Sequence, residues 1–258
     1  SGATPIMAAV NEAEQRRHDD EVTKAYIGPP GTPEFNEVAR ALMFGANHAV
    51  ISSGRIAGVQ TPGGCGALRV GAELIKRARP ETTIWVSDPT WANHVPLLGN
   101  AGLAIQEYAY YDRESSSLNA DGMLAALSQV PAGDIVLLHG CCHNPSGVDL
   151  KAEHWHAVAK LAVERGFTPF IDLAYQGLGD GLDEDAIGVR VMADACPELI
   201  VASSYSKNFG LYRERVGSLQ IVSADTQQVG IVQSQLNSVV RGIYSMPPAH
   251  GAAIVEII

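Results

Sequence analysis

"KAEHWHAVAKLAVERGFTPFIDLAYQG", Lys151 to Gly177, contains one complete passage from helix to strand. Apolar residues recur at helical spacing through Lys151–Arg165, and Gly166 follows as the left-handed stop. Asp149 stands just ahead as the expected N-cap. Phe167–Asp172 is then a short apolar run of strand length. The same rhythm extends in both directions. Further strands are expected at Ile84–Ser87, Leu103–Tyr108, Ile135–His139, Leu199–Ser203 and Ser218–Val222. Helices are expected at Gly66–Ala78, Ala120–Gln129, Ala186–Asp194 and from Asp225 to about Tyr244. "YIGPPGTPEF", Tyr26 to Phe35, reads as a Gly/Pro loop. Strands alternating with helices indicate an α/β fold, a mostly parallel sheet with helices on both faces. Ligands of such sheets sit beyond the carboxyl ends of the strands, so the polar residues there carry the functional question.

The chain has 258 residues and a net charge of −10, with 46% hydrophobic residues. That charge argues against a nucleic-acid partner and against an anionic membrane surface. No apolar run approaches membrane-span length, and the start turns charged at "NEAEQRR", unlike a signal peptide. Cys65, Cys141, Cys142 and Cys196 show no C-x-x-C spacing, which points to reduced thiols and a cytoplasmic location. Both ends read as cut: there is no initiator Met, and the helical pattern after Pro247–Pro248 runs out without a stop.

Several strand ends carry candidate chemistry. Asp172 closes a buried strand, which is costly for a carboxylate unless it meets a cationic partner, and Tyr175 follows it. Asn144 lies in "HNPSGVD" after another strand. His139, Cys141 and His143 alternate there, so a strand would put all three on one face as a zinc site requires. No second cluster supplies a fourth ligand, and packed, hydrogen-bonded side chains are the better account. No metal site is expected. "VQTPGGCGALRVGAEL" reads as strand, glycine-rich turn and helix: Gly63, Gly64 and Gly66 let the backbone approach a ligand, and the helix N-terminus after Gly66 is open to an anion. It matches neither the dinucleotide nor the nucleoside-triphosphate glycine pattern. Trp91, after the strand "IWVS", offers a flat platform.

"SSYSKNFGLYRERVG", Ser203 to Gly217, places Lys207 in an uncharged setting, although the chain has only five lysines. Gathered in one crevice, these residues match the needs of pyridoxal 5′-phosphate: an amine, a carboxylate for the pyridine nitrogen, partners for the ring oxygen, a stacking surface and a phosphate cradle. Lys207 supplies the amine, Asp172 the carboxylate, Tyr175 and Asn144 the ring-oxygen partners, and Trp91 the platform. The phosphate carries about −1.5 to −2 charges. Arg215 offers one positive charge, the helix N-terminus about half of one, and Ser204 a hydroxyl.

"SYSKNFGLYRERVG", "HNPSGVD", "DLAYQG", "DPTWANH", "QTPGGCGALR" and "RGIYSMPPAHG" together resemble the class I aspartate/aromatic-amino-acid aminotransferases, in order through essentially the whole chain. The resemblance implies fold type I, pyridoxal phosphate as cofactor, and a homodimer with shared active sites. It implies that Lys207 is the Schiff-base lysine and the catalytic residue. It makes Asp172 the pyridinium partner, Tyr175 and Asn144 the ring-oxygen partners, and Gly64, Cys65, Ser204 and Arg215 the phosphate cradle. Tyr26 would reach the phosphate of the neighbouring subunit. Substrate would meet Trp91, Asn144 and, from the neighbouring subunit, Arg241. Residues 1–258 would form the cofactor-binding large domain, with the C-terminal small domain largely absent. The implied reaction is ping-pong transfer of an amino group from an aromatic amino acid, and from aspartate, to 2-oxoglutarate. Met246, where aspartate-preferring relatives usually carry Asn, leans toward aromatic donors. The alternatives are an aspartate aminotransferase proper and a cofactor-binding remnant without activity.

Overall fold

The computed structural model describes residues 5–258. Among these residues nine strands occur in chain order: β1 (Ile56–Pro62), β2 (Thr83–Asp88), β3 (Ala104–Ala109), β4 (Tyr111–Asp112), β5 (Ser117–Leu118), β6 (Ile135–His139), β7 (Thr168–Leu173), β8 (Leu199–Ser204) and β9 (Val216–Val222). Seven of them form one sheet in the order β1-β9-β8-β7-β6-β2-β3, and β4 and β5 pair as a small separate ribbon. Within the large sheet only β9 runs against its neighbours, antiparallel to both β1 and β8. The other contacts are parallel, as the crossover helices require.

The strands are near-continuous apolar runs because both faces are covered. In β6, Val136 and Leu138 join one core while Ile135 and Leu137 join the other. In β8, Leu199 and Val201 divide from Ile200 and Ala202 in the same way. The first core also takes residues of helices Pro33–Phe44, Ala152–Arg165 and Ile187–Ala195, and the second those of Gly63–Ala78 and Thr226–Ile243.

Helix Ala152–Arg165 buries Trp155, Val158, Ala159 and Ala162, one face at i, i+3, i+4 and i+7. It ends at Gly166, φ 75°, whose N–H reaches Ala162 O. Asp149 is not its N-cap. That position is Lys151, and its backbone N–H donates to His154 Nδ1 at 3.1 Å. Asp149 instead accepts the backbone N–H groups of Cys142 and His143, both at 2.7 Å, and so fixes the turn after β6. Helix Thr226–Ile243 is capped by Asp225, whose Oδ1 accepts from Gln227 and Gln228 N–H.

Two long helices were not expected, Ala8–Asp20 and Pro33–Phe44. The second begins inside the Gly/Pro loop. Thr32 Oγ1 accepts Phe35 N–H and Pro33 occupies the first helical position, where its missing N–H costs nothing.

Candidate active site

β6, β7 and β8 end together at one edge of the sheet, where His139 aligns with Asp172 and Leu173 with Ser203. Reversed β9 brings its start to this edge: Gly217 pairs with Ser204 of β8 and with Thr61 of β1. The end of β1, the end of β8 and the loop carrying Lys207 and Arg215 therefore converge. A cavity of about 340 Å³ opens there. Lys207, Asp172, Tyr175 and Asn144 line it, as do Gly64, Cys65, Ser204, Arg215 and Trp91. Tyr26 and Arg241 do not line it. Tyr26 is 81% exposed, and Arg241 lies exposed in the last turn of helix Thr226–Ile243, donating to Ser245 Oγ.

The Lys207 amine sits 4.3 Å from the centroid of the Tyr175 ring, a cation–π contact. Asp172, only 8% exposed, meets His94 rather than a lysine or arginine: His94 Nε2 lies 2.9 Å from Asp172 Oδ2. The direction of this bond can be traced. Asn144 N–H, a fixed donor, points at His139 Nδ1 from 3.4 Å. Burial, with the His143 and His94 rings beside it, holds His139 well below the ordinary histidine range, so its single proton sits on Nε2. That proton goes to Thr90 Oγ1 at 3.2 Å, and the Thr90 hydroxyl donates to His94 Nδ1 at 2.8 Å. His94 therefore keeps its proton on Nε2 and donates it to Asp172. Among the described residues Oδ1 of Asp172 has no partner, in a residue that lines the cavity.

The anion-facing side is built by close approach. Gly63 opens helix Gly63–Ala78 at φ +73°, and a Cβ there would stand 2.3 Å from Arg215 Nη2. A Cβ on Gly217 would stand 2.4 Å from the Gly63 carbonyl carbon. Only glycine fits either position. Arg215 itself has φ 55°, sparsely populated for a non-glycine residue. Its Nη1 donates to Tyr212 O at 2.9 Å and lies 3.4 Å from Ser206 Oγ. Among the described residues no carboxylate pairs with it. Neither Glu214 nor Asp172 does, so its charge remains available to the cavity. Cys65 Sγ accepts a weak bond from Asn93 Nδ2 at 3.7 Å.

The aminotransferase class I and II family profile matches residues 1–258. The chain belongs to that family. It is 50% identical over 258 residues to an aspartate aminotransferase of Salmonella typhi, covering all of this chain and 65% of that relative. It is 46% identical over 258 residues to an aromatic-amino-acid aminotransferase of Paracoccus denitrificans, again covering 65% of the relative. Its fold superposes with a TM-score of 0.96, at 41% identity, on a crystal structure of the aromatic-amino-acid aminotransferase from Burkholderia pseudomallei covalently bound to pyridoxal phosphate. That match covers 98% of this chain and 63% of the other. The chain thus spans about 65% of the length of these curated relatives.

In this class I and II family chain the zinc arrangement does not form. β6 stops at His139, Cys142 takes φ 48°, and the three side chains do not share a strand face. His139 enters the Asp172 chain and Cys141 packs into the first core. His143 is held between Ser87 Oγ at 2.9 Å and Ser146 Oγ at 2.7 Å. Among the described residues no cluster of three or more His, Cys, Asp or Glu could hold a metal ion. Sequence reasoning missed His94 and Thr90, which orient Asp172, and Ser206, which steadies Arg215. "DPTWANH" contains the first two at i and i+4, a spacing that a helical turn would have brought together.

Proposed function

We propose that the chain is the cofactor-binding part of a pyridoxal-phosphate-dependent aminotransferase that moves an amino group from an aromatic amino acid, and from aspartate, to 2-oxoglutarate by ping-pong transamination. The observation that carries this reading is one cavity lined by an amine and a guanidinium that no carboxylate pairs with among the described residues, and by a buried carboxylate held by His94. The donor set fits the cofactor. Arg215 and the N-terminus of helix Gly63–Ala78 suit a phosphate dianion, with Gly64, Cys65 and Ser204 beside them. Asp172 Oδ1 suits a protonated ring nitrogen, Tyr175 and Asn144 a ring oxygen, and Trp91 the ring face.

When bound, pyridoxal phosphate supplies an electrophilic carbonyl carbon and an electron-poor ring that takes up the electron pair left as a proton departs from the substrate Cα. The protein's own residues do the rest. Lys207 would provide the covalent anchor and, when freed, the base that takes the substrate Cα proton and delivers it to the cofactor carbon that had been the carbonyl carbon. The bond from His94 Nε2 holds Asp172 in orientation. Trp91 and Asn144 meet the substrate.

Tyr26 and Arg241, exposed and away from the cavity, are proposed to serve the site of a second copy in a homodimer. The half-buried Met246 supports aromatic donors. Aspartate as principal donor remains the second reading, favoured by the relative from Salmonella typhi. Four unpaired cysteines fit a cytoplasmic setting, and no helix among the described residues is long and apolar enough to cross a membrane.

The test is a spectral titration of pyridoxal-phosphate-loaded protein with phenylalanine and with aspartate, alongside Lys207→Ala. Loss of the absorbance of the lysine-bound cofactor with either amino acid supports the reading, and the tighter titration names the donor. Lys207→Ala should lose covalent attachment and turnover together. Near-normal turnover in that variant would refute the assignment.

A further inference from the structure

A second polar recess lies away from the Lys207 cavity, at the free edge of β1. Its volume is about 240 Å³, and Arg40, Asn36, Gly58, Gln233 and Asn237 contribute to its wall. Arg40 is half-buried on helix Pro33–Phe44. Its Nε donates to Gln220 Oε1 at 2.9 Å. Gln220 is fully buried and is itself clamped, donating to Ser218 Oγ at 2.7 Å and to Asn36 Oδ1 at 3.2 Å. A Cβ on Gly58 would fall 1.9 Å from Gln220 Oε1, so this arrangement depends on a glycine in the edge strand.

Most other polar groups of the recess are already committed. Asn36 Nδ2 donates to Pro30 O and Thr32 O. Gln233 accepts Gly58 N–H at 3.0 Å and donates to Asn237 Oδ1 at 3.0 Å. Among the described residues, Arg40 Nη1 and Nη2 and Asn237 Nδ2 have no partner. No carboxylate pairs with Arg40, although burial opposes its charge and Glu37, on the exposed side of the same helix, offsets this only in part. The side-chain nitrogens left uncommitted are all donors, and those of Arg40 carry a desolvated positive charge whose direction is fixed by a buried amide.

We propose that this recess binds a small oxyanion, a phosphate or carboxylate group, through Arg40 Nη1 and Nη2 and the Asn237 amide. A planar guanidinium with both terminal nitrogens free matches two oxygens of such a group. The committed amides of Asn36 and Gln233 act as walls that hold the donors in place.

The test uses ¹⁵N-arginine-labelled chain carrying Arg215→Gln, which removes the anion-binding guanidinium of the other cavity. Inorganic phosphate is titrated while the Arg40 Nε–Hε signal and the heat of binding are followed. A saturable shift is expected, with binding weakened about tenfold or more by Arg40→Gln and by Asn237→Asp. A linear, non-saturating response, or the same isotherm in both variants, overturns the proposal. So does a shift that appears only as sedimentation shows self-association, since the oxyanion would then be an acidic side chain of a second copy. Asn237→Asp lies on a different helix from Arg40 and keeps the test decisive should Arg40→Gln fail to fold.

Discussion

Replacing Thr90 with valine removes one hydroxyl at nearly constant shape and cuts the chain that ends on Asp172. His94 is fully buried, so its Nδ1 would lose the 2.8 Å bond with no water to replace it. An unsatisfied buried acceptor costs about 1–3 kcal/mol. His139 Nε2 also loses its acceptor, but His139 lines the open cavity and can turn to water, so its share is small. The expected loss in unfolding free energy is thus about 2 kcal/mol, or about 4–8 °C in Tm for a chain of this size. Thr90→Ser keeps the hydroxyl, gives up one methyl and should lose under about 1 kcal/mol. Urea unfolding gives the energies. The ¹⁵N shifts of His94 give the tautomer: Nδ1 unprotonated in the parent, redistributed in the valine variant. A valine variant within about 0.5 kcal/mol of the parent, with an unchanged His94 tautomer, would sink the traced direction of the chain.

Burial holds the His143 imidazole at about 4, below its ordinary value of 6.5. Between those values the unfolded chain binds the proton and the folded chain does not, so stability rises with pH and is lost as pH falls. The full contribution is about 3 kcal/mol, and urea titrations from pH 7 to pH 4 should show a slope that flattens in His143→Gln. Gly63→Ala should cost about 1–3 kcal/mol through its positive φ, and should weaken phosphate binding at Arg215 because the new methyl lands on Nη2. Equilibrium unfolding and phosphate titration check both, and an alanine variant with parental phosphate affinity would contradict the close approach.

The sheet was legible because strands such as Ile135–His139 are short unbroken apolar runs buried on both faces, whereas Lys151–Arg165 shows the 3.6-residue period of a helix. Ala8–Asp20 was not legible: it buries only Val10 and Ala13, so no apolar stripe marks it. Pro33–Phe44 was hidden because the proline at its first position reads as part of a loop. Strand ends pointed to the cavity residues, since topology alone sends them to one edge. His94 and Thr90 escaped because their role is set by a contact 78 residues away along the chain, between His94 and Asp172, which no local pattern encodes. Asp149 was read as a helix cap because its type suits one, yet two backbone N–H groups of the preceding turn hold it more strongly. The antiparallel course of β9 was also invisible, as a buried run looks alike in either direction.

That single reversed strand has a mechanical consequence. It makes the segment bearing the amine and the guanidinium a hairpin staple, pinned at both ends to two adjacent interior strands of the sheet. Whatever opens or shuts the crevice must carry these two groups as one body, so their spacing stays constant while the walls around them move.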